Sequence, residues 1–197
     1  MFSRMLDIAS ELNIGKIKLG GGVFEEGEPD LPAMRDAIAR LCERAAPLNT
    51  DIVVEFLPFA SINDIDRGLA LFDGQGITNG GLLVDTWHIH RGGMTAEDIR
   101  KIPLQYLKAV ELDDAGLEIV ENLFNDSTHY RAVCGQGCID IPAQIQAIVD
   151  VGYRGYWGVE VISAAHRKLS LEDAAQLAFD TTMQQFETIN FPQDAAA

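Results

Sequence analysis

Short apolar runs alternate with amphipathic segments along this chain, and that alternation constrains its fold more than any other feature. Ile17 to Leu19, Asp51-Ile-Val-Val-Glu-Phe-Leu57, Gly81 to Val84, Leu107-Lys-Ala-Val-Glu-Leu112 and Tyr156-Trp-Gly-Val-Glu-Val-Ile162 read as strands, several of them apolar enough to be buried on both faces. Between them lie segments with helical spacing. Residues 1–12 carry Met1, Met5, Ile8, Ala9 and Leu12, and Leu31 to Ala46 place Met34, Ala37, Ile38 and Leu41 on one face. Ser61 to Phe72 reads as a helix capped by Ser61 or Asn63, and Thr95 to Lys101 as a short one capped by Thr95 with Asp98 three residues on. Ile141 to Val151 turns Ile145, Ile148 and Val149 inward, and Leu171 to Ile189 forms a last long helix. Strands that alternate with helices are the pattern of repeated βα units and a parallel sheet. No linker or repeat interrupts the pattern, so we expect one domain over residues 1–190. Glu25 to Asp30 reads as an acidic loop, 115–138 as a long irregular stretch and 191–197 as a frayed tail.

The composition narrows the class. The chain has 197 residues, of which 47% are hydrophobic, enough for one substantial core. Its 30 acidic residues against 15 basic ones give a net charge of −15. That disfavours nucleic acid, which needs a basic stripe, and an anionic membrane surface. No apolar run reaches the length of a membrane span, and the N-terminus lacks the pattern of a signal peptide. The three cysteines, Cys42, Cys134 and Cys138, cannot complete a zinc site of two cysteine pairs. They read as reduced thiols, and the expected location is the cytoplasm. Gly20-Gly21-Gly22 reads as a flexible turn, because no nucleotide-loop pattern accompanies it.

Candidate chemistry lies at the ends of the strands. In α/β folds the carboxyl ends of the strands open into the ligand crevice. Glu55, Asp85, Glu111 and Glu160 each follow or end an apolar run, and His88 stands three residues after Asp85. Buried carboxylates are costly unless they are paired or bound to a cation. Four of them in consecutive strands therefore suggest a divalent-metal site. Oxygen donors suit Mg²⁺ or Mn²⁺, and an added imidazole admits Co²⁺ or Zn²⁺. Two plainer roles stand beside this one. Asp85 can cap the segment after its strand, with His88 in a polar loop, and some of the carboxylates can form ion pairs at the sheet rim.

Five segments carry a family resemblance. They are Val-Val-Glu55, Leu-Val-Asp85-Thr-Trp-His88, Val-Glu111-Leu-Asp-Asp114, Arg131-x-x-x-Gly135-x-Gly137-x-Ile-Asp140 and Gly152-Tyr-x-Gly-x-x-Gly-Val-Glu160. In this order they resemble successive motifs of the xylose isomerase-like TIM barrels. That superfamily holds sugar-phosphate isomerase/epimerase-type proteins, ketose 3-epimerases, inosose-processing enzymes and an endonuclease branch. The resemblance runs from about Met1 to Ile189.

The resemblance implies an α/β barrel and a divalent metal held by Glu55, Asp85 and Glu160. The family's histidine ligand is matched by Glu111, so either Glu111 binds through oxygen or His129 supplies the fourth donor. His88 and Arg131 match substrate-contacting residues, and Asp114 matches an aspartate that helps to orient the site. The implied activity is isomerisation or epimerisation of a sugar or cyclitol through an enediolate, with Glu55 and Glu160 as the proton-transferring pair. Loss of a β-hydroxyl from the same enediolate would make the protein a dehydratase; a carbon–glycoside-cleaving lyase and a non-catalytic metal-binding fragment are further readings. The endonuclease branch needs more histidines than the four present. The first recognisable strand resembles the family's third, and TIM barrels seldom run under roughly 200 residues. We therefore expect an incomplete barrel that lacks the first two βα units, with Met1 either a late start or a boundary within a longer protein. Open edges would leave apolar residues along Ile17 to Leu19 and Val159 to Ile162 exposed or covered by another copy, so such a chain would form a homo-oligomer, rearrange or be marginally stable.

Overall fold

The computed structural model describes residues 2–22 and 28–192. Met1, residues 25–27 of the acidic loop at Glu25 to Asp30 and residues 193–197 of the tail lie outside the described residues. The chain divides into two compact units, residues 1–84 with 102–109 and residues 85–101 with 110–197.

The first unit begins with α1 (Phe2–Leu12) and β1 (Lys16–Gly20), followed by α2 (Leu31–Ala45), β2 (Asp51–Glu55), α3 (Ile65–Ala70) and β3 (Gly80–Asp85), and it takes in the start of β4 (Leu107–Leu112). β1 pairs with β2 and β2 with β3, both in parallel, with Gly20 opposite Glu55 and Glu55 opposite Leu83. Ile52, Val53, Val54, Leu82, Leu83 and Val84 are all buried, as expected of strands covered on both faces. Gly81 is a glycine for a steric reason: a Cβ there would run into the Tyr106 carbonyl. Asp30 caps α2 by accepting from Ala33 N, and a proline stands in the first turn. Such a cap contributes about 1 kcal/mol, less than the roughly 1.5–3 kcal/mol from burying one large apolar side chain. The packed face bearing Leu41 therefore holds the helix, and the cap fixes where it starts.

The second unit holds α4 (Thr86–Arg91), α5 (Ala96–Ile99), the end of β4, β5 (Asp114–Ala115), α6 (Leu123–His129), β6 (Arg131–Ala132), α7 (Ile141–Val151), β7 (Trp157–Val159) and α8 (Leu171–Gln185). β4 and β7 pair in parallel, with Glu111 opposite Gly158. Asp140 caps α7, and Gly152 ends it at φ 102°, which favours glycine. Ile141, Ile145, Ile148 and Val149 fill the core under α7. Trp157 meets the edges of Tyr153 and Phe186 at ring-centroid distances of 5.6 and 5.1 Å.

The strand order is β1-β2-β3-β4-β7, a five-stranded parallel sheet with helices between its strands, as in an incomplete barrel. β5 and β6 form a separate antiparallel pair. Several local expectations need correction: α8 ends at Gln185 instead of Ile189, and β2 ends at Glu55 instead of Leu57. α3 is confined to Ile65–Ala70, and its cap is Asp64 rather than Ser61 or Asn63. Residues 115–138 are not irregular throughout: α6, capped by Asn122, and β6 lie there. β7 ends at Val159, so Glu160 follows the strand instead of lying in it. At the sheet edges Val159 is 40% exposed, as anticipated, but Ile17 is buried.

Candidate metal and substrate site

β3 delivers Asp85 fully buried at its carboxyl end. One carboxylate oxygen accepts from His88 N at 3.0 Å and caps α4. The plainer capping role thus holds, but it uses only Oδ1. Oδ2 accepts from Arg131 Nη1 at 2.7 Å and lies 3.9 Å from His88 Nε2. Burial alone would raise the Asp85 pKa. The Arg131 charge, His88 and the amide hydrogen bond outweigh burial and hold the carboxyl below its ordinary range. His88 itself lies on α4, buried, and not in a loop.

Glu111 is the penultimate residue of β4. Glu160 N donates to Leu112 O at 3.2 Å, which places Glu160 beside the end of that strand. Asp85, Glu111 and Glu160 each offer a carboxylate oxygen, all within 4.8 Å of one another. Glu160 Oε2 also lies 3.3 Å from Arg131 Nη1, and its side chain keeps 30% of its exposure.

Arg131 comes from β6 and is almost completely buried. Its Nε donates to Ser127 O and its Nη2 to Ser127 Oγ, each at 2.9 Å. Its guanidinium lies over the Trp87 ring, 5.3 Å from the centroid. Burial opposes its charge, but Asp85 and Asp113 outweigh that and raise its pKa above the ordinary value. Nη2 is 3.3 Å from His88 Nε2. Arginine cannot accept a hydrogen bond, so a bond across this gap makes Nε2 the acceptor and leaves the ring proton on Nδ1.

Asp113 is the residue that the sequence reading missed. It is fully buried and accepts from Thr86 Oγ1 at 2.9 Å, from Trp87 N at 3.0 Å and from Arg131 Nη1. Burial, then the Asp85 charge, push its carboxyl well above the ordinary carboxylate value against the pull of Arg131. The available signal was the Asp113-Asp114 doublet directly after an apolar strand.

The remaining candidates are placed as follows. Asp114 accepts from Ala115 N and Ile139 N through one oxygen, and from Gly135 N and Gly137 N through the other. It therefore organises the 135–139 turn. His129 is exposed at the end of α6, with Nδ1 2.8 Å from Thr128 Oγ1, and belongs to none of the groups of donors close enough to share an ion among the described residues. In the first unit Glu55 ends β2, is 7% exposed and pairs with Lys18 Nζ at 2.9 Å. Leu83 opposite it stands two residues before Asp85 in β3.

Comparison with known proteins bears on the family and the fold. The xylose isomerase-like TIM barrel family matches residues 1–181. The inosose isomerase of Halalkalibacterium halodurans is 26% identical over 188 residues, covering 93% of this chain and 66% of the relative. The 3-dehydroshikimate dehydratase of Pseudomonas aeruginosa is 28% identical over 167 residues, covering 83% of this chain but 26% of the relative. The chain thus spans less than two thirds of these curated relatives. The crystal structure of an IolI protein with a bound zinc atom superposes with a TM-score of 0.86 at 22% identity, covering 96% of this chain and 69% of that one. At that identity the likeness concerns the fold.

Proposed function

The chain belongs to the xylose isomerase-like TIM barrels, and from that premise we propose that it acts as a divalent-metal-dependent isomerase or epimerase of a sugar or cyclitol. The observation that carries this reading is the convergence of Asp85, Glu111 and Glu160 oxygens within 4.8 Å at the carboxyl ends of their strands. Three hard oxygen donors fit a divalent cation: Mn²⁺ or Mg²⁺ first, with Co²⁺ or Zn²⁺ admitted by the nearby imidazole. Glu55, which ends the strand next to β3, is proposed as a further ligand. When bound, the cation supplies positive charge that favours loss of the proton next to a substrate carbonyl.

In this reading Glu160 and Glu55 are the proton-transferring carboxylates. One removes the proton α to the carbonyl, and the other returns a proton to the enediolate. The partial exposure of Glu160 supports that role, because a base must meet its substrate. His88 and Arg131 hold substrate hydroxyls or a developing oxyanion, and Arg131 stays charged throughout. Asp114 acts through the turn it organises.

A dehydratase on the same scaffold is the second reading, favoured by the likeness to the 3-dehydroshikimate dehydratase. The test is elemental analysis for bound metal, followed by product analysis with a panel of inososes and ketoses. Isomers formed with retention of mass support the proposal, and products lighter by one water establish the dehydratase. A metal-free chain that turns over nothing would overturn both.

A further inference from the structure

We propose that Asp113 is the positioning residue of this site: one carboxylate holds both the Arg131 guanidinium and the turn that carries His88. The proposal rests on the isomerase reading only for its kinetic consequence. Arg131 has several acceptors, but they are not equivalent. Ser127 stands four residues earlier on the same local stretch, so its oxygens fix the stem of the side chain. Asp85 is needed by the cation. Asp113 is the remaining carboxyl partner of Nη1 that the proposed chemistry does not otherwise use. Its second grip is on the start of α4, through Trp87 N, one residue before His88, while the single hydroxyl proton of Thr86 is shared between the same carboxylate oxygen at 2.9 Å and the Asp113 carbonyl at 2.7 Å. Thr86 answers by accepting from Asp113 N at 2.9 Å. The end of β4, the start of β6 and the start of α4 are thereby tied at one point, which sets the 3.3 Å approach of Arg131 Nη2 to His88 Nε2.

Two variants separate the two grips. Asp113→Asn keeps size and one acceptor, but it must turn an NH₂ group towards a donor. Thr86→Val removes the hydroxyl and leaves the contact between Asp113 and Arg131. The measurements are hydrogen exchange at the Arg131 Nη–H groups by ¹⁵N NMR, Mn²⁺ affinity by calorimetry, and KM and kcat on the inosose and ketose panel. In the wild type the Nη–H protons should exchange far more slowly than those of a surface arginine. Asp113→Asn should speed exchange and raise KM about tenfold or more, the scale of a lost charge-assisted hydrogen bond, with kcat changed by less than about twofold. Thr86→Val should leave exchange at Arg131 unchanged. Fast exchange in the wild type overturns the proposal even if Asp113→Asn does not fold. So does a Thr86→Val variant that raises KM as much while Arg131 stays protected. A wild type inactive on the whole panel would sink the isomerase reading, and the exchange data would still decide the role of Asp113.

Discussion

Arg131 Nη1 lies 2.7 Å from Asp85 Oδ2, and both side chains are sealed from solvent. The guanidinium thus sits against a carboxylate that is also proposed to bind a cation. It balances the charge of buried carboxylates that would otherwise repel one another. Removing one partner of such a cluster is costlier than the cluster's own net contribution, because the remaining charge is left buried.

Arg131→Met should therefore destabilise the metal-free chain by about 3–5 kcal/mol, read as a fall in the urea midpoint at unchanged slope. Added Mn²⁺ should recover part of that loss, since a bound cation stabilises the folded state by mass action. A midpoint within error of the wild type would show that Asp85 and Asp113 do not depend on the guanidinium.

The same two carboxylates set opposite pH dependences. The Asp85 pKa is lowered in the fold, so its stabilising contribution is present above the ordinary carboxylate value of about 3.9 and is lost as pH falls through its folded value. The Asp113 pKa is raised, so its contribution is present below that ordinary value and is lost as pH rises through its higher folded value. In chelator-treated buffer, Asp113→Asn should flatten the decline of stability on the alkaline side. Asp85→Asn should flatten the fall on the acid side. Urea midpoints across pH 3–8 for the three proteins would check both slopes.

Cysteine reactivity gives an independent check of the packing. Cys42 and Cys134 are buried, and desolvation foremost pushes their thiols up to about 11 and about 12. Cys138 is exposed, with Sγ 3.5 Å from His90 Nε2. A thiol reagent at pH 8 should modify Cys138 rapidly and the other two only on unfolding. Rapid modification of Cys42 or Cys134 in the native protein would contradict the described core.

The parts of the fold that were legible had both periodicity and punctuation. β4 runs over Leu107–Leu112 and α7 over Ile141–Val151 as expected, the latter framed by Asp140, Pro142 and Gly152. α3 was overextended because Ile62, Leu71 and Phe72 are buried although they lie outside the helix, so burial there mimics a helical face. β7 was overextended because Val161 and Ile162 continue the apolar run past the last paired residue. In the site, the carboxylates showed because each lies at or just beside the end of an apolar strand. Asp113 did not, because its meaning lies in Arg131, 18 residues on, and in Thr86, 27 residues back. Such separations leave no local pattern.

The sharpest prediction concerns Glu160. Glutamine keeps its shape and one oxygen donor but cannot accept a proton at neutral pH. If Glu160 is a proton-transferring base, Glu160→Gln should retain much of the bound metal and lose about 10²–10⁴-fold in turnover. Asp85→Ala removes the oxygen itself and should lose metal first, with activity partly restored at high metal concentration. Bound metal and solvent-deuterium incorporation at the α-carbon would be measured for both variants. The structural reason for expecting a split is their surroundings. Asp85 is fully buried and fixed by His88 N and Arg131, whereas Glu160 keeps an open face beside the same cation position. Wild-type rates of deuterium exchange in Glu160→Gln would remove it from the role of base, even if net conversion fell.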